Sequence, residues 1–440
     1  MGESVTRPMD RVLDAWSSGD HAGALRWAVP LLEAQPDSAL ALLATAYLSA
    51  KEGDPKTFDL GLKVAAHHAI DLGNLPLAVA VGALTRELGL DPSGTYDAIA
   101  AAYARGSARI KPGAPPALPA PAPEVDPLPK TLLAKPLLDR ALGAVEKAIE
   151  KIEAERDPES PLPPAPLCSL LDRASLRAFV EIFETKLFPA QTTVVEEGAL
   201  GSEAFVVARG ELDVTKRVAG SDATVHLARL GGGTLVGEMA MLSRAPRAAT
   251  VSTASPSLLL VAGKQALDAA VAKSPELGRE FAEHCRRRML DNLVKMSPIL
   301  RSVNPTDRAD LVHRFSIRAF EPGERIVTQG TPSDGLFVIA SGEVSIVQND
   351  AAGEKTVLAR LGTGEVIGEV ALVLRRPPFA DAIANHPTVT LFLPRDRFLE
   401  AVRAHPVVFV DLYELAVRRD EETSAAVELE AAPLDESIFV

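Results

Sequence analysis

The sequence predicts a multidomain α+β chain: N-terminal α-helical hairpins, then two small antiparallel β-barrels of jelly-roll type, each flanked by helices. Three observations carry this reading. Through the first 110 residues apolar side chains recur at helical spacing, as in Leu25, Ala28, Leu31 and Leu32. From 167 to about 421 the chain repeats itself. FPAQTTVVEEG (188–198) matches FEPGERIVTQG (320–330), and ARGELDV (208–214) matches ASGEVSI (340–346), both at an offset of 132; VGEMAML (236–242) matches IGEVALV (367–373) at 131. Finally, Pro-rich stretches punctuate the chain, with eight prolines in 112–129 and five in 158–166.

These signals divide the 440 residues into a helical repeat-like domain at 1–110, a Pro-rich linker at 111–130 and a connecting helix at 131–157. A second Pro-rich linker at 158–166, barrels at 167–299 and 300–421, and an acidic tail at 422–440 complete the order. Proline removes backbone donors and favours extended chain, so both linkers read as spacers.

Charge narrows the function. Lys and Arg number 46 against 59 Asp and Glu, a net of −13. From Asp420 onward there are seven acids and no Lys or Arg, which leaves −6 for the remainder. A nucleic-acid binder carries a basic excess, so none is expected here. Two cysteines, Cys168 and Cys285, make neither a disulfide framework nor a Cys-based metal site. No charge-free apolar run approaches 18 residues and MGESVTRPMD has no signal-peptide core, so a cytoplasmic chain without a membrane span is expected. Nucleophile-elbow, Walker, zinc-protease and kinase motifs are all absent from the sequence, and an enzyme is not expected.

In 1–110, Asp20, Asp37 and Asp54 are candidate helix N-caps. GDHAGALRWAVPLLEAQPD (19–37) resembles the second helix of a tetratricopeptide repeat, and Gly53-Asp54 follows Gly19-Asp20 at that repeat's 34-residue period. Gly73-Asn74 follows after only 20. Six helices in three hairpins would present a groove for a protein partner, or form a bundle used only for assembly. In 131–157, Leu138, Leu142, Val145, Ile149 and Ile152 form a two-heptad seam, which either packs on its own domain or dimerises the chain through 138–152. If the linkers are spacers, a chain beginning near Thr131 should bind a barrel ligand as tightly as the full chain.

The barrels come from short strands closed by turn glycines: AFVVA (204–208) before Gly210 and LFVIA (336–340) before Gly342. Between strands lies GGTLVGEMAMLSRAPRAATV (232–251), in which Gly237, Glu238, Ala240, Leu242, Pro246, Arg247 and Ala249 are spaced as Gly-Glu-x-Ala-x-Leu, three residues, then Pro-Arg-x-Ala. The residue types suit a buried anion. Arginine stays ionised and can make two parallel hydrogen bonds to a phosphate. A carboxylate accepts a ribose hydroxyl proton, and Gly237 with Ala240, Ala248 and Ala249 lets backbone approach the ligand.

This pattern resembles the phosphate-binding cassette of cyclic-nucleotide-binding domains, and the tandem layout resembles the regulatory subunits of cyclic-AMP-dependent kinase. The resemblance implies Arg247 on the phosphate and Glu238 on the 2′-OH. It also implies cyclic AMP as ligand rather than cyclic GMP, since Ala248 stands where cyclic-GMP binders often carry Thr; Thr250 fits as well. In the second copy Gly368, Glu369, Ala371 and Pro377 are kept, but Pro378 replaces the arginine, followed by Phe379, Ala380 and Asp381. A degenerate site is expected there, in which a phosphate would meet Glu369 and Asp381 unless Arg375 or Arg376 reached back. The linkers hold no Arg-Arg-x-Ser/Thr inhibitor sequence, and no DNA-reading domain is expected in the short acidic stretch after the second barrel. The expected function is therefore a cyclic-nucleotide receptor that relays binding to a protein partner. A scaffold with relic barrels, or a kinase-regulatory inhibitor, is the alternative.

Overall fold

The computed structural model describes residues 7–114, 123–217, 223–242, 246–296, 314–349, 354–404 and 406–431. Two compact units emerge. The first comprises Met1–Glu197, Ser202–Met241 and Ala249–His284; the second comprises Gly198–Gly201, Leu242–Ala248 and Cys285–Val440.

The first unit begins with helices α1 (Pro8–Ser17), α2 (His21–Ala34), α3 (Ala39–Lys51), α4 (Pro55–Asp71), α5 (Leu75–Glu87) and α6 (Ser93–Tyr103). Asp20 caps α2 by accepting from Gly23 N–H at 2.8 Å, Asp54 caps α4 through Lys56 N–H at 3.2 Å, and Asn74 caps α5 through Leu77 N–H at 3.1 Å. The cap expected at Asp37 falls one residue later: Ser38 Oγ accepts from Ala41 N–H at 3.3 Å. The glycine that turns the third hairpin is Gly89, not Gly73. Gly19, Gly53 and Gly89 all take positive φ (80°, 96° and 77°) between paired helices, at intervals of 34 and 36 residues. Gly73 instead joins the second hairpin to the third. Alanine and glycine let these helices pack closely: a Cβ on Gly82 would stand 2.5 Å from the Tyr96 ring.

The described parts of the segments read as spacers are packed. Leu162 is 1% exposed and forms an isolated parallel bridge with Ile110, accepting from Lys111 N–H at 2.9 Å and donating to the Arg109 carbonyl at 2.8 Å. Leu128 N–H donates to the Arg26 carbonyl at 2.9 Å. Proline removes donors but not carbonyls, and arginines supply the missing donors: Arg26 to Pro129 and Leu132, Arg109 to Ser160. Helix α7 (Ala134–Glu155) buries Leu137, Ala141, Ala144, Val145, Ala148 and Ile152 against α2, α3 and α4. The buried stripe has helical period and leaves Leu138, Leu142 and Ile149 half-buried, so the predicted seam is largely consumed within this unit.

After α8 (Arg173–Val180) come β1 (Glu184–Phe188), β2 (Thr193–Val195), β3 (Glu203–Arg209), β4 (Leu212–Arg217), β5 (Thr224–Leu230), β6 (Leu235–Val236), α9 (Met239–Leu242), β7 (Thr250–Thr253) and β8 (Ser257–Gly263). They form two antiparallel sheets, β1-β8-β3-β6 and β2-β7-β4-β5, around Val195, Phe205, Val207, Leu212, Val251, Leu259 and Val261. Strand β8 is buried on both faces. Leu259 and Val261 point into the barrel core, while alternate residues Leu258, Leu260 and Ala262 are also at most 2% exposed. Helices α5 and α1 lie on this sheet, against β1, β3 and β8. Arg86 of α5 donates to the carbonyls of Glu181 (2.6 Å) and Phe183 (2.7 Å), Asp10 of α1 pairs with Arg209 at 3.6 Å, and Arg177 pairs with Asp97. The helical region is thus docked directly on the first barrel, contrary to the separation that the proline content suggested.

Helices α10 (Lys264–Lys273) and α11 (Pro275–Met296) follow. In the second unit, β9 (Ser316–Phe320), β10 (Arg325–Val327), β11 (Gly335–Ser341), β12 (Val344–Asn349), β13 (Lys355–Leu361), β14 (Val366–Ile367), α12 (Glu369–Val373), β15 (Asp381–Ala384) and β16 (Thr388–Pro394) repeat the barrel, as sheets β9-β16-β11-β14 and β10-β15-β12-β13. Helices α13 (Arg395–Ala404) and α14 (Pro406–Ala431) close the described chain. Helix α14 runs ten residues past 421, into the stretch read as an acidic tail; 432–440 lie outside the described residues.

Candidate functional site

The duplication holds at the level of single hydrogen bonds. Gly198 N–H donates to the Arg247 carbonyl at 2.8 Å, and Gly330 N–H donates to the Pro378 carbonyl at 2.7 Å. Glu197 N–H reaches Thr250 Oγ1 at 3.0 Å, and Gln329 N–H reaches Asp381 Oδ1 at 2.8 Å. Glu197 accepts from Arg217 N–H as Gln329 accepts from Asn349 N–H, both at 2.9 Å. The ungapped correspondence of Arg247 with Pro378 and Thr250 with Asp381 therefore has a structural basis. Asp381 is not a stray charge. It does Thr250's job, with Asn349 Nδ2 (3.0 Å) and Arg325 (3.3 Å) on its second oxygen.

In the first unit Gly237 ends β6 with φ 79°, a left-handed conformation that favours glycine. It turns the chain so that Glu238, 6% exposed, precedes the single turn α9, where Met241 N–H donates to the Glu238 carbonyl at 3.1 Å. Ala240 lies on that turn, and Ala249 leads into β7 half-buried. Arg247 and Ala248 belong to the second compact unit. Arg247 N–H donates to the Ala199 carbonyl at 2.9 Å, its side chain is half-buried, and Ala248 is exposed.

In the second unit Gly368 repeats the turn at φ 90°, and Glu369, 3% exposed, starts α12. Beside it opens a cavity of about 910 Å³, lined by Ile346, Ile367, Glu369, Ala371, Pro378 and Arg419 among others. A buried carboxylate needs a cation. Neither Arg375 nor Arg376 supplies one to Glu369; Arg376 pairs with Asp420 at 3.1 Å, and Arg375 is held at φ 55°. Arg419 of α14 does so, donating to Glu369 Oε1 and to the Val366 carbonyl, both at 2.6 Å. Sequence reasoning missed Arg419 because it lies 50 residues from its partner, with no local motif to mark it. Among the described residues no group of His, Cys, Asp and Glu could hold a metal ion, and no helix is long and apolar enough to cross a membrane.

The family model for the cyclic nucleotide-binding domain matches the chain twice, over residues 185–274 and 317–405. The chain thus contains two cyclic nucleotide-binding domains in tandem. It is similar to the cAMP-dependent protein kinase regulatory subunit of Aspergillus fumigatus, at 29% identity over 226 residues, covering 50% of this chain and 52% of that one. It is also similar to the type II regulatory subunit of Drosophila melanogaster, at 30% identity over 210 residues, 48% of this chain and 52% of that one. Against the solved regulatory domain of Toxoplasma gondii PKA with cAMP, identity is 25% and the TM-score 0.29, over 58% of this chain and 92% of that one. The chain spans about half the length of the curated relatives it matches.

Proposed function

We propose that this chain is a non-enzymatic cyclic-nucleotide receptor, that its first barrel takes one cyclic AMP, and that the second takes none. The observation that carries the reading is the contrast between the two cassettes. The first keeps Gly237, a buried Glu238 and Arg247, whereas in the second Pro378 stands at the arginine position. In this reading Arg247 makes charge-assisted bonds to the phosphodiester, Glu238 accepts the ribose 2′-OH, and Ala240, Ala248 and Ala249 leave room for the ligand. The relatives, named as cAMP-dependent kinase regulatory subunits, support cyclic AMP over cyclic GMP. Output passes to a protein partner through the helical region 1–110. The docking of α1 and α5 on the barrel favours direct control by that region over a tethered adaptor.

Isothermal titration of the full chain with cyclic AMP tests this. One site per chain is expected, and Arg247→Ala should weaken binding roughly ten- to a hundredfold, about 1.5–3 kcal/mol. Two sites, or affinity untouched by Arg247→Ala, would refute it.

A further inference from the structure

We propose that Gly201 is a positioning residue for the anion-binding arginine, and that it works by having no side chain. The proposal rests on the reading of Arg247 as the phosphate ligand. The Arg247 guanidinium lies across Gly201: a methyl group built on its Cα would stand 2.5 Å from Nη2, 2.7 Å from Nε and 2.9 Å from Cζ. The main chain of Arg247 is held on the same segment, through its hydrogen bonds with Gly198 and Ala199. One short stretch, Gly198–Gly201, therefore fixes the backbone of the arginine and stations its head group.

Gly201 is not needed for a left-handed turn, since it is absent from the positive-φ glycines while Gly198 is among them at 81°. What it supplies is space. The atoms that an added methyl would strike are the far end of a flexible side chain. They would move aside, so the fold would survive and the arginine's aim would not.

The duplication is an internal control. At the positions matching Gly201 and Arg247 the second copy has Ser333 and Pro378: where the arginine is gone, the glycine is gone. Ser333 is 6% exposed and turned inward, its Oγ donating to the Gly335 carbonyl at 2.8 Å and lying 2.9 Å from where a Cβ on Gly368 would be. Where the first copy has no side chain under an arginine, the second has a serine side chain beside the glycine preceding Glu369.

The test is a double-mutant cycle on the full chain, reading cyclic AMP affinity by calorimetry for wild type, Gly201→Ala, Arg247→Ala and the double variant. Gly201→Ala should weaken binding about tenfold, the loss of one charge-assisted contact. It should leave the melting temperature of the unliganded chain unchanged, and should add nothing in the Arg247→Ala background. Tight wild-type binding with Gly201→Ala unaffected, or equal weakening in both backgrounds, overturns this proposal alone. A wild-type chain that takes no cyclic AMP overturns the receptor reading and this proposal with it.

Discussion

Arg419 Nη1 donates to Glu369 Oε1 at 2.6 Å, tying helix α14 to the carboxylate that repeats Glu238 in the second barrel. The Glu369 side chain is 4% exposed and that of Arg419 is 20% exposed, so the charge pair is mostly out of water. The same guanidinium caps the Val366 carbonyl and reaches Glu365 at 3.4 Å. Leu412 and Ala416, fully buried on α14, hold the helix in place.

Arg419→Ala should leave a buried carboxylate without its cation, at a cost of about 2 kcal/mol or more. Arg419→Ala with Glu369→Gln should cost less than Arg419→Ala alone, because the neutral amide needs no counter-charge. Urea unfolding of the wild type and these two variants measures both. An Arg419→Ala chain within about 0.5 kcal/mol of wild type, the range of an ordinary surface substitution, would show the pair to be incidental.

The docked helical region makes a second expectation. A chain beginning near Thr131 would uncover the outer face of the first barrel, where Leu258, Leu260 and Ala262 are buried, together with the buried stripe of α7. Such a truncation should aggregate or melt well below the full chain. A gentler form is Arg86→Ala, which strands the carbonyls of Glu181 and Phe183 and should lower stability by about 1–3 kcal/mol. Thermal unfolding decides. A truncated chain as stable as the whole would mean that the helical region only rests on the barrel.

The difference between what was legible and what was not follows the range of the interactions. The barrels, their turn glycines and both cassettes were legible because those signals are local: Gly210 and Gly342 take φ of 106° and 101° where strand runs stop. The Arg419–Glu369 pair and the Gly201–Arg247 contact join residues 50 and 46 apart, through side chains with no spacing rule. Docking leaves one trace in the sequence. SLLLVAG (257–263) is apolar without alternation, the mark of a strand covered on both faces. Proline content misled because it speaks of missing donors, while the carbonyls of Pro129 and Ser160 are bonded by arginines placed elsewhere.

His67 gives the pH dependence. It lies half-buried on α4, and burial first, then the nearby charge of Arg156, holds its pKa below the ordinary 6.5; Asp71 and a hydrogen bond involving the Lys63 backbone oppose the shift without reversing it. The unfolded imidazole therefore takes up a proton at a pH where the folded one stays neutral. More protons bound by the unfolded state means that stability rises with pH. The contribution is intact above 6.5 and is lost as pH falls from 6.5 toward the depressed folded value. His67→Gln, which cannot titrate, should flatten that part of the stability curve, and the His67 ring resonance in a proton NMR titration should show a midpoint below 6.5. A midpoint at or above 6.5 would mean that solvent or Asp71, rather than burial and Arg156, sets the charge of this ring.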